Sequence, residues 1–69
     1  MIVLDEIRIK VIETISQSGM TQTEIAKKLG VSQQTVSHYM KGDKMPALDM
    51  FANLCRVLEV DANEILCVK

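Results

Sequence analysis

The stretch Thr21 to Gly42, TQTEIAKKLGVSQQTVSHYMKG, constrains this chain more than any other, because start and stop signals for two short helices are crowded into 22 residues. Thr21 can accept from the amide of Glu24 while the Glu24 carboxylate reaches back to Thr21, so a helix is predicted to begin at Gln22. It ends near Leu29, since Gly30 takes a left-handed backbone without steric penalty and turns the chain sharply. Ser32 caps the next helix, predicted from Gln33 to about Met40. Helices joined by so short a connection cannot lie side by side and must cross steeply. Ala26 is small enough for the crossing, and Ile25, Leu29, Val31 and Val36 form an apolar wedge beneath it.

At about 100° per residue, the second of these helices sorts into two sides. Val36, Tyr39 and Met40 share one, while Gln34, Ser37, His38 and Lys41 share the other, with Gln33 at the N-terminal tip. A core has no use for that polar side. Long amides at the leading end of a helix suit the major groove, where Gln can bond adenine N6 and N7 together.

The run Thr21, Gln22, Ile25, Ala26, Leu29, Gly30, Val31, Ser32, Thr35, Val36, Ser37, Tyr39, Gly42 resembles the helix-turn-helix of Cro and the lambda-type repressors, the XRE-like family. Pro46, Leu48, Leu54, Leu58, Val60, Asp61, Glu64, Ile65 and Leu66 look like that family's fourth and fifth helices, so the likeness runs from about Ile12 to Leu66. It implies an all-α, compact five-helix lambda-repressor-like fold and a bacterial or phage transcription regulator that binds double-stranded DNA as a homodimer. Gln33, Gln34, Ser37 and His38 are then the expected base-reading residues. Thr21, Gln22, Lys41 and Lys44 are the expected phosphate contacts. By the same analogy the dimer contact falls at the C-terminal end, on Val60, Ile65, Cys67 and Val68; Ile2 and Ile9 are the second candidate surface. A protein-binding module, such as the antitoxin of a toxin-antitoxin pair, is the competing class.

Sixty-nine residues fit one domain, near the size at which a hydrophobic core just carries a fold. With one Phe, one Tyr and no Trp, the core has to be aliphatic. The net charge of −1 is unusual for a nucleic-acid binder, whose affinity rests largely on neutralising phosphates. Distribution softens the objection: residues 20–46 hold Lys27, Lys28, Lys41 and Lys44 against Glu24 and Asp43, and the negative excess lies to either side. Cys55 and Cys67 have no partner at metal-ligand spacing and read as reduced thiols. Met1 to Leu4 is too short an apolar run for a signal peptide, and no stretch is long enough to span a membrane, so the chain is expected in the cytoplasm. No cofactor is implied. Ser37, His38 and Asp43 offer the residue types of a triad, but Ser37 and His38 are adjacent on one helix and point about 100° apart, which argues against an enzyme.

The first helix is predicted from Leu4 to Gln17, with Leu4, Ile7, Val11, Ile12 and Ile15 as its apolar stripe and Ile9 pointing away from it. Met20 then covers the core. After Gly42 a loop leads to Pro46, expected in the first turn of a helix from about Ala47 to Leu58 whose stripe is Leu48, Phe51, Leu54, Cys55 and Leu58. Asp61-Ala-Asn-Glu64 repeats the capping-box pattern ahead of a short last helix ending near Leu66. One departure from the family stands out. Where the fourth helix usually ends on Gly this chain has Glu59, so either the turn differs or a strain of about 1 kcal/mol is tolerated.

Overall fold

A computed structural model describes residues 1–68, which form five helices and no strand. They are α1 (Leu4–Gln17), α2 (Gln22–Leu29), α3 (Gln33–Lys41), α4 (Leu48–Leu58) and α5 (Ala62–Ile65). Their ends follow from local chemistry. Thr21 Oγ1 accepts from the Glu24 amide and Glu24 Oε1 from the Thr21 amide, each at 3.1 Å, closing the predicted capping box. Gly30 is left-handed (φ 75°), and the Val31 amide turns back onto the Ala26 carbonyl at 3.0 Å. No atom stands within 4 Å of where a Gly30 side chain would begin, so glycine is required here by backbone angle and not by space.

Ser32 Oγ accepts from the Thr35 amide at 3.2 Å and starts α3. The helix runs to Lys41 and ends at left-handed Gly42 (φ 78°), where the Asp43 amide donates to the His38 carbonyl at 3.1 Å. Space matters at this second glycine. A Cβ on Gly42 would lie 3.2 Å from Arg8 Cδ, because the Arg8 stem crosses it from α1.

The core is aliphatic in the main, as composition required: Val11 and Ile15, Ile25 and Ala26, Val36 and Tyr39, Phe51, Leu54 and Cys55, and Ile65 are buried. α2 packs on α3 and α4, and α1 packs on α3 and α5. Ala26 of α2 is buried, and its small side chain suits a close packing of α2 on its neighbours.

Two expected core residues are outside. Leu4 is 55% exposed and Leu48 81%. Both sit in the first turn of a helix, where side chains lean toward the N-terminus and so project past the edge of the core. Met50 packs on the core in this part of α4. Pro46 also falls earlier than expected, ahead of the capping residue Ala47, which offers no side-chain bond; Asp49 Oδ1 instead accepts from the Met50 amide at 2.9 Å.

At the α4–α5 junction the helix ends on a left-handed residue and the strain is accepted. Glu59 is left-handed (φ 56°, ψ 47°), with the Val60 amide on the Cys55 carbonyl at 3.0 Å. The Asp61 carboxylate accepts from the Asn63 amide at 2.9 Å, one position earlier than the capping-box pattern predicts. Burial pushes the Cys55 thiol up, with the Asp61 charge adding to it, and both cysteines are free thiols. Among the described residues no helix is long and apolar enough to cross a membrane.

Candidate nucleic-acid interface

On α3 the inner residues Val36 and Tyr39 are fixed in the core, which leaves Gln33, Gln34 and Lys41 exposed and Ser37 and His38 half-buried. Ser32 and Thr35 spend their hydroxyls on each other and on the cap, 3.0 Å apart. The two glutamine amides are therefore the polar groups carried forward at the tip of α3. Gln34, Ser37 and His38, expected to read bases, thus share one helix face, with Gln33 at its leading tip.

His38 is less available than its position on the helix suggested. Its Nδ1 stands 3.6 Å from Asp43 Oδ2, too long for a hydrogen bond and within ion-pair range when the ring is protonated. The contact follows from the Gly42 turn, which folds residue 43 back beside residue 38.

The expected phosphate contacts lie at two places. Thr21 and Gln22 open α2, where unpaired helix amides favour an anion. Thr21 has already given its amide to the Glu24 carboxylate, and its hydroxyl both accepts from the Glu24 amide and faces that carboxylate, so the capping box occupies the groups it could offer a phosphate. Glu24 opposes an anion there: the Thr21 amide and hydroxyl hold its carboxyl below the usual range, with Lys28 a minor cause, so it is charged at neutral pH. Lys41 and Lys44, at the other end of α3, are exposed.

Arg8 is the residue that sequence reasoning missed. Its guanidinium pairs with Asp5, its stem lies on Gly42, and its Nε is buried without a partner. The only signal in the sequence is that Arg8 precedes Ile12 by four residues and so borders the α1 stripe.

The surfaces assigned to a second chain also change. Ile65 is 3% exposed and belongs to this chain's own core, so it has no area to offer; Val60 is partly buried against the same core. Cys67 is half-buried and Val68 is 61% exposed. At the N-terminal end Val3 and Leu4 are exposed as well as Ile2 and Ile9. A separate groove between α1 and the α4–α5 end, lined by Lys10, Glu13, Thr14, Gln17, Leu58 and Ile65 among others, contains none of the predicted DNA contacts.

Comparison with known proteins agrees with this arrangement. A family profile described as helix-turn-helix matches residues 13–65, from the second half of α1 through α5. An uncharacterized HTH-type transcriptional regulator of Archaeoglobus fulgidus is 33% identical over 58 residues, which is 84% of this chain and 83% of that protein. No solved structure matches the chain. The capped α2–Gly30–α3 unit, the all-helical packing around it and the two sequence matches together mean that the chain belongs to the helix-turn-helix family of Cro/lambda-repressor (XRE) type, whose members are DNA-binding transcription regulators.

Proposed function

We propose that this protein represses transcription by docking α3 in the major groove of a specific duplex, as a homodimer in which each chain acts as a single domain. The observation that carries the reading is the pair of exposed amides, Gln33 and Gln34, at the leading end of a helix whose opposite side is locked into the core. Lys41 at the end of that helix and Lys44 just past it then hold phosphates, with Gln22 at the start of α2 working against the Glu24 charge, which fixes register while the amides read base edges. Selection of duplexes from a random library, followed by binding across a salt series, tests it. Gln34→Ala should weaken the selected site by about 1–3 kcal/mol and relax one base pair. Lys44→Gln should weaken every sequence alike and lower the log-log salt slope by about one unit. Equal losses for Gln34→Ala on selected and random duplexes would remove it from base reading.

This reading calls for a homodimer, because one short helix covers few base pairs and the chain has little positive charge to compensate. Two protomers on half-sites roughly 34 Å apart bring affinity into the usual specific range. Val68→Asp is expected to weaken self-association and operator binding together. If it still dimerises and Ile9→Asp does not, the α1 surface is the interface. Exposed Ile2 and Ile9 are also the observation favouring a second reading, a module that binds another protein. A salt slope near zero on random duplex would favour that reading over DNA.

A further inference from the structure

His38 is the one histidine of the chain and sits in the last turn of α3. Gly42 and the bond from the Asp43 amide to the His38 carbonyl bring the Asp43 carboxylate to 3.6 Å from His38 Nδ1. At that separation charge and dipole link the two groups. The other charges around them are Lys41 on the same turn, Lys44 in the loop, and Arg8 of α1, paired with Asp5 and lying on Gly42. α2, also packed on α3, carries Glu24, Lys27 and Lys28, all exposed.

We propose that Asp43 is a positioning residue for base reading: it holds neutral His38 with the proton on Nδ1, facing the carboxylate, and leaves Nε2 outward as a hydrogen-bond acceptor. In neutral imidazole one nitrogen donates and the other accepts, and the neighbour of one decides the role of the other. An outward acceptor on this face takes an amino group from a base edge, N4 of cytosine or N6 of adenine. The residue types alone do not distinguish this from a donor that would favour guanine. The inference rests on the reading that α3 enters the major groove.

Nitrogen-15 spectra of the single imidazole, recorded in alkaline solution, report the tautomer with no DNA present. Wild type is expected to show the Nδ1-protonated form, and Asp43→Ala a shift toward the Nε2-protonated form. An Nε2-protonated wild type, or equal populations in the two proteins, overturns the proposal. On selected duplexes, His38→Gln, which can place an acceptor where Nε2 stands, should keep the preference at one base pair. His38→Asn, which ends at the Nδ1 position, and Asp43→Ala should each lose it by on the order of tenfold. A uniform gain for Asp43→Ala on every duplex, with base preference intact, makes Asp43 a repelling charge only and overturns the positioning role. A wild type with no sequence preference sinks the major-groove reading instead, while the spectra still decide the tautomer.

Discussion

The turn between α2 and α3 and the turn between α4 and α5 are the same device built from different residues. Each places a left-handed residue after the helix, then a partly buried valine, then a capping residue: Gly30, Val31, Ser32 in the first and Glu59, Val60, Asp61 in the second. Each closes with the valine amide on a carbonyl five residues back, at 3.0 Å in both. In the first turn the left-handed position is glycine and the following helix has nine residues; in the second it is glutamate and the following helix has four. The backbone strain of Glu59 is accepted where the chain only has to bury Ile65. It is avoided where a longer helix must be held at a fixed angle with its outer face free. The difference teaches that the turn geometry itself does not mark the functional unit. What marks it is an unstrained turn followed by a helix long enough to have a second side.

The largest expected effect breaks the first region alone. Ala26→Leu should overpack the α2–α3 crossing and destabilise by about 1–3 kcal/mol. A thermal melt matching wild type would mean that the crossing tolerates bulk and that Ala26 does not set the approach of α3.

A reciprocal exchange at the two turns sharpens the comparison. Gly30→Ala puts a side chain at φ 75° in open space, so it should lose about 1–2 kcal/mol through backbone strain without a clash. Glu59→Gly should gain, by up to about 1 kcal/mol, since it relieves the same strain but adds freedom to the unfolded chain. Urea melts of both variants check the sign. A loss at Glu59 would show that its side chain, and not the strain, dominates that turn.

The smallest effect concerns the caps. Glu24 is held below the usual carboxylate range by the Thr21 bonds, so its contribution to stability is present above that range and fades as pH falls through the lowered value. Glu24→Gln should therefore be less stable than wild type at neutral pH and match it in strong acid. Thermal melts of the two proteins at both pH values make the comparison, and a gap that persists in acid would assign the effect to something other than the charge of Glu24.

How much was legible in the sequence differs from residue to residue. α2 was bounded to the residue and α3 to within one, because their starts are decided by side-chain bonds spanning three positions, between Thr21 and Glu24 and between Ser32 and Thr35; α1 was bounded as well by its apolar stripe, without a side-chain cap on Val3. Most of the core was legible too, since helical periodicity says which side of a helix is apolar. The exposed face bearing Gln33 and Gln34 followed as the complement of Val36 and Tyr39. Periodicity does not say where along a helix the neighbouring helices stop, which is why Leu4 and Leu48 were expected inside and lie outside.

Only the folded chain decided the rest. Whether Glu59 would bear a left-handed angle depended on the burial that α5 gains in return, and that gain involves α1, which ends at Gln17, well before α5 begins at Ala62. Arg8 meets Gly42, and Ile65 disappears into the core, through contacts between helices that no local spacing encodes. The approach of Asp43 to His38 needed the handedness of Gly42 in three dimensions. Helix boundaries rest on short-range hydrogen bonds and so were written in adjacent residues; exposure, strain and the setting of the one histidine rest on how separate helices pack, and so were settled by tertiary structure.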